Sequence, residues 1–173
     1  DSAGISNLGD EAITLSDTSL TAAVLNTLDG NTSGTIDATA ITTLTGAAAD
    51  LITAYDSAGI SNLGDEAVTL SDTTLAVSVL NTLDGNTSGI IDAASINELT
   101  GDANQVNTSY ASAEIINLGD KAITLTDTSL TAAVLNTLDG NTSGTIDATA
   151  ITTLTGAAAD LITAYDSAGI SNL

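Results

Sequence analysis

Residues 17–63 recur letter for letter as residues 127–173, and a diverged copy lies between them. The register is 55 residues: Tyr55, Tyr110 and Tyr165 align, as do Asp29, Asp84 and Asp139, with no gap or insertion. A self-contained domain tolerates a change in the length of its linker, whereas a unit that packs on its neighbour does not. The chain therefore reads as three copies of one building block, residues 1–55, 56–110 and 111–165, with residues 166–173 opening a fourth. It begins at Asp1 and holds no methionine, which suggests a segment of a longer array or a processed chain.

The apolar 43% of the chain is Ala, Leu, Ile and Val, with three Tyr as the only aromatics. Such residues build a thin core, of the kind that runs through a stack of repeats burying their faces on one another. One basic residue, Lys121, stands against 22 acidic ones, for a formal charge of -21. Phosphate backbones are bound by Lys and Arg, so neither a nucleic acid nor an anionic membrane surface is expected as a partner. The charge invites cations instead, either divalent ions or a salty medium that screens self-repulsion. No apolar run approaches the roughly 20 residues of a membrane span.

Cys, His and Arg are all absent. Disulfides and thiolate metal sites are thereby excluded, and the usual nucleophile–base pairs and phosphate clamps cannot be assembled. Carboxylate pairs of the glycosidase kind remain chemically conceivable. The Asp residues, however, are copied along the array in a way no single active site explains, and no enzyme is expected.

Within one copy, residues 16–30 predict a helix with Asp17 as N-cap, an apolar face of Leu20, Val24, Leu25 and Leu28, and Gly30 as a left-handed stop. Residues 45–59 predict a second helix, with Thr45 at its start, Ala48, Leu51, Ile52 and Tyr55 on one face, and Gly59 at its end. Copy two weakens this helix with Asn104, Val106 and Asn107. Ala12–Leu15 and Thr35–Asp37 carry β-branched residues after glycine-bearing turns and predict short strands. Strand, helix, strand, helix in 55 residues gives about 27 residues per strand–helix unit, the size of one coil of an α/β solenoid of the leucine-rich repeat class. The expected fold is thus α/β, a repeat solenoid of strand–helix coils with a parallel sheet. The alternative is an all-α, EF-hand-like helical array in which the extended pieces are loops.

That alternative comes from residues 29–40, DGNTSGTIDATA, which recur from Asp84 and from Asp139. This segment resembles the calcium loop of EF-hands and, with the IxxL that follows, the loop–helix segment of dockerin modules. The resemblance implies calcium as a cofactor, with Asp29, Asn31, Ser33 and Asp37 as metal ligands, and likewise Asp84, Asn86, Ser88 and Asp92, then Asp139, Asn141, Ser143 and Asp147. Gly34 matches the glycine at position 6 and Ile36 the buried position 8. The chain departs from the pattern at position 5, where Ser33 replaces an acid. It departs also at position 12, where Ala40, or Ser95 in copy two, cannot supply the bidentate carboxylate. Read from residue types alone, the same segment is a turn, with Asn and Gly suited to left-handed backbone and Asp to side chain–backbone bonds.

Asp10, Glu11 and Asp17, matched by Asp65, Glu66 and Asp72, form a second acidic set, best read as a solvated face because Lys121 replaces the glutamate in copy three. The three tyrosines could stack on a sugar, but one aromatic per copy at the end of a helix face reads better as core. As a whole, with its LTG and GTIDA phrases, the chain resembles the acidic low-complexity repeat proteins of bacterial and cyanobacterial cell surfaces. That resemblance implies an extracellular or cell-surface stalk, adhesin shaft or filament that associates with itself end to end. A calcium-responsive module binding a surface glycan or a protein is the second reading.

Overall fold

A computed structural model describes residues 8–173; residues 1–7, the opening of the first copy, lie outside the described residues. Copy one forms β1 (Ile13–Thr14), β2 (Ser19–Thr21), α1 (Ala22–Asn31), β3 (Ile36–Asp37), β4 (Thr43–Gly46) and α2 (Ala48–Asp56), followed by β5 (Ile60–Ser61). Copy two gives β6 (Ala67–Leu70), β7 (Thr74–Ala76), α3 (Val77–Asn86), β8 (Ile91–Asp92), β9 (Glu98–Gly101) and α4 (Ala103–Ala111), followed by β10 (Ile115–Ile116). Copy three gives β11 (Ala122–Leu125), β12 (Ser129–Thr131), α5 (Ala132–Asn141), β13 (Ile146–Asp147), β14 (Thr153–Thr155) and α6 (Ala158–Asp166), followed by β15 (Ile170–Ser171). The fold is α/β, with six helices among the described residues alternating with parallel strands, and the all-helical alternative is excluded.

All strand pairs are parallel, and partners stand 23 or 24 residues apart: Leu20 faces Leu44, Leu44 faces Val68, Val68 faces Ile91 and Ile91 faces Ile115. One circuit of the chain is therefore shorter than the expected half-repeat. Two 24-residue circuits leave seven residues of the 55 over, and in each copy those seven carry the chain from one row of strands to the next. As a result β6 joins the sheet β10-β8-β6-β4-β2, while β7, the counterpart of β2, starts the sheet β15-β13-β11-β9-β7. The helices pack each on the next in chain order, from α1 to α6.

Both predicted strands form, but both helices begin later than the apolar pattern suggested. Ser19–Thr21 is drawn into a strand because Leu20 pairs with Leu44, so α1 starts at Ala22, with the Thr21 hydroxyl, not Asp17, accepting from the Val24 amide at 3.4 Å. Leu20 is thus a strand residue, and Val24, expected on the buried face, is 54% exposed. Thr45 likewise lies in β4, and α2 starts at Ala48. Gly30 stays inside α1, which ends in an extended Thr32, and α2 ends at Asp56, before Gly59. The left-handed non-glycine positions are instead Asn62, Asn117 and Asn172, with φ of 63°, 66° and 62°.

Leu25, Leu80 and Leu135 are fully buried at the same place in successive copies, as the apolar pattern required. Around them pack Ile36, Leu44 and Leu51 in copy one and Ile91, Leu99 and Val106 in copy two, all with no exposed surface. Because the core is thin and purely aliphatic there, few neighbours can move in to fill a hole. Leu80→Ala is expected to lower stability by about 2–5 kcal/mol, measured by chemical denaturation followed by circular dichroism.

Candidate functional site

The segment that resembles a calcium loop is not a loop at its start. Asp29, Gly30 and Asn31 form the last turn of α1, as Asp84–Asn86 and Asp139–Asn141 do in α3 and α5. The Asp29 carboxylate accepts from the Ser57 hydroxyl at 2.7 Å, Asp84 from Ser112 at 3.0 Å and Asp139 from Ser167 at 2.8 Å. Each of these acids thereby ties one helix to the end of the next. Asn86 donates to the Asp56 carboxylate at 3.5 Å and Asn141 to Asn107 at 2.9 Å.

The Thr-Ser-Gly that follows is a clamp on the previous circuit. The Ser33 amide and hydroxyl both donate to the Gly9 carbonyl, at 2.6 and 3.0 Å, and Ser88 and Ser143 repeat this on Gly64 and Gly119. Thr32 donates to the Glu11 carbonyl while accepting from the Gly34 amide, and Thr87 and Thr142 do the same one and two copies on. Gly34, Gly89 and Gly144 are glycine because a Cβ would fall on the backbone carbonyl of Glu11, Glu66 or Lys121. Their φ angles are not left-handed, so the constraint is space alone.

Asp37 accepts from the Thr39 amide and hydroxyl at 3.1 and 2.6 Å and from Asn62 Nδ2 at 2.9 Å, and Asp147 accepts in the same way from Thr149 and Asn172. Asp92 holds Asn117 and the Ala94 amide. The hydroxyls of Thr39 and Thr149, then the asparagine amides, keep Asp37 and Asp147 below the usual carboxylate range. These aspartates fix the left-handed asparagines on the neighbouring circuit. Among the described residues no three of His, Cys, Asp or Glu stand together as a metal-binding group.

The second acidic set is a solvated face at Asp10, Glu11, Asp17 and Asp65, which are exposed, but not at Glu66 and Asp72. Glu66 is 1% exposed and accepts from the Gly64 amide and from the Tyr55 hydroxyl, at 2.9 and 3.2 Å. Lys121, its counterpart, is also buried; it donates to the Ala94 carbonyl and pairs with Asp120 at 3.0 Å. Tyr110 accordingly turns its hydroxyl to the Leu118 carbonyl. Burial pushes both tyrosines above their ordinary pKa; the Thr87 and Thr142 hydroxyls oppose this, while the charges of Glu66 and Asp120 add to it. Asp72 and Asp127 cap helices, but those of the preceding circuit: Ala48 N and Ala103 N each donate to them at 2.8 Å. Asp127 is pushed up by burial, and the neighbouring Asp102 carboxyl, itself the N-cap of α4, adds to that shift.

One set of residues gave no signal in the sequence reading. Asn26, Asn81 and Asn136 donate from one helix to a backbone carbonyl of the next, on Asp50, Gln105 and Asp160, at 2.9, 3.0 and 2.9 Å. Their spacing in the repeat was visible, but an Asn inside a helix has no fixed partner until the next helix is placed. In copy two the Asn81 side-chain oxygen accepts from Ser109, whereas in copy three Ala164 stands at that position and the buried Asn136 oxygen is orphaned.

The chain matches no protein-family model, no curated protein and no solved structure. No described helix is long and apolar enough to cross a membrane. The recurrent polar residues act on neighbouring circuits of the same chain. A partner for the orphaned oxygen should stabilise the fold: Ala164→Ser is expected to gain about 1 kcal/mol, read as a higher denaturation midpoint, with Asn136→Ala abolishing the gain.

Proposed function

We propose that the chain is an acidic structural repeat array, an α/β solenoid of stacked circuits that serves as a stalk, adhesin shaft or filament at a bacterial surface. The observation that carries this reading is which residues recur. Asp29, Thr32, Ser33 and Asp37, with their counterparts in copies two and three, bond one circuit to the next, and Gly34 with its counterparts lets the circuits approach. Such bonds have no natural end, and every further copy adds the same set.

Composition supports an exported, bulk-made material. Sulfur is absent, the nitrogen-rich Arg, His and Trp are absent, and a charge of -21 keeps lateral aggregation down. Parallel circuits stack about 4.8 Å apart, so 55 residues, or roughly 2.3 circuits, add about 11 Å of length. Matching acids on successive copies then lie near one Debye length at about 0.1 M salt, so they repel in dilute buffer and are screened at marine ionic strength.

Tandem fusions carrying increasing numbers of the 55-residue unit test this reading. Their maximum dimension in small-angle scattering should grow linearly, by about 11 Å per unit, and their melting temperature should rise with NaCl. Growth as the cube root of mass would reject the array.

A further inference from the structure

Two positions of the repeated motif contribute little to the stack. Asp84 bonds Ser112, Thr87 and Ser88 clamp the previous circuit, and Gly89 makes room for it. Gly85 does none of this: it lies inside α3, where glycine weakens a helix, and no atom lies within 4 Å of a Cβ placed on it. Asn86, the last residue of that helix, reaches the Asp56 carboxylate at 3.5 Å across exposed surface. Circuits of the chain lie on both sides of Asn86, so its setting owes nothing to where the sequence starts or stops.

Asparagine followed at the second position by serine or threonine is the acceptor pattern for N-linked glycans in exported proteins. The chain holds it four times, at Asn31, Asn86, Asn107 and Asn141. Bacterial oligosaccharyltransferases read in addition an acid two residues before the asparagine; Asp29, Asp84 and Asp139 supply it, whereas Gln105 stands before Asn107. The fold divides the four in the same way. Asn107 lies within α4, where its Nδ2 donates to the Val134 carbonyl, its Oδ1 accepts from Asn141, and its Ser109 is fully buried against Asn81. Asn86 instead ends its helix, Thr87 after it is extended, with φ of -134° and ψ of 147°, and Ser88 is exposed.

We propose that Asn86, with Asn31 and Asn141 at the same place in their copies, is an acceptor for an N-linked glycan. The proposal rests on the reading of the chain as exported, since such transferases work outside the cytoplasm. In the transfer Nδ2 attacks C1 of a sugar carried on a polyprenyl pyrophosphate. The N–C1 bond forms, the C1–O bond breaks, the polyprenyl pyrophosphate leaves with the electron pair, and one Nδ2 proton passes to a base of the transferase. The second Nδ2 hydrogen remains to donate to Asp56. Access takes only local opening: the bond from the Ser88 hydroxyl to the Gly64 carbonyl, at 3.1 Å, is exposed, and Gly85 gives the last turn of α3 freedom to unwind. The open space beside Gly85 leaves room for the sugar once the turn closes again. One glycan per copy then decorates the array at a fixed interval.

The folded wild-type chain, incubated with a purified bacterial oligosaccharyltransferase and a polyprenyl-pyrophosphate oligosaccharide and read by intact mass and glycopeptide mapping, tests the assignment. Glycans should be added at Asn31, Asn86 and Asn141, with at least tenfold lower occupancy at Asn107. Ser88→Ala should lower occupancy of Asn86 at least tenfold while Asn141 in the same chain is unchanged, and Ser88→Thr, which restores a hydroxyl, should recover it. Loss of the Ser88 clamp alone would loosen the segment and raise occupancy, so a drop reports the acceptor pattern. A folded chain left unmodified where a peptide acceptor is consumed, or one modified at Asn107 as fully as at Asn86, would overturn the assignment. The array reading would stand in either case, since the lengthening of tandem fusions is measured on the bare chain.

Discussion

The closeness of successive circuits governs the rest of this fold. The carbonyl of residue 11, 66 or 121 sits where a side chain on Gly34, Gly89 or Gly144 would begin. At that separation serine and threonine side chains, the shortest polar ones, can bridge from one circuit to the backbone of another. Ser33 reaches Gly9, Thr32 reaches Glu11 and Thr42 reaches Thr18, each across 21 to 24 residues. The parallel pairing of β-branched and leucine residues, Ile13 with Ile36 and Leu20 with Leu44, holds the same register on the strand side. A chain folded in this way has little use for large aromatics, because no gap between circuits is wide enough to need them except at the helix ends, where the tyrosines sit.

Copy two shows how much change this scheme absorbs. Asp102 replaces Ala47 and caps α4; Asn107 replaces Ile52 and donates to the Val134 carbonyl; Ser109 replaces Ala54 and satisfies Asn81. Glu98 replaces Thr43 and accepts from Thr124, and at the opening of copy three Glu114 replaces Gly59 and shares the Ser112 hydroxyl with Asp84. Each of these polar groups has a partner on its own or a neighbouring circuit, as the cost of burying an unpaired one requires. The exchange of Glu66 for Lys121 follows the same rule: the reversed charge finds a carbonyl and Asp120, and Tyr110 moves its bond to the backbone.

Much of the fold was legible because periodicity reports burial. The strands at Ile13 and Ile36, the buried Leu25 with its counterparts, and the parallel order all follow from the repeat and its apolar pattern. The 24-residue circuit was also written in the chain, as SLT at 19–21 and TLT at 43–45, and as Ile13, Ile36 and Ile60. It was masked by the stronger 55-residue identity, which is not a multiple of it. The helix starts were misplaced because strand pairing competed with helix propensity at Ser19–Thr21 and won. The partners of Asp29, Asp37 and Asp72 on other circuits were illegible, since they lie 24 to 28 residues away, and Asp29, beside a glycine, reads locally as a turn or an ion ligand.

Two glycines four residues apart in the same motif separate close packing of circuits from every local account of that segment. Nothing lies within 4 Å of a Cβ on Gly85, which is helical, whereas a Cβ on Gly89 meets the Glu66 carbonyl. Denaturation midpoints of Gly85→Ala and Gly89→Ala, measured side by side, test this directly. The account predicts that Gly85→Ala is neutral or stabilising by up to about 1 kcal/mol and that Gly89→Ala loses about 1–3 kcal/mol or more. A Gly89→Ala chain as stable as the wild type would contradict it.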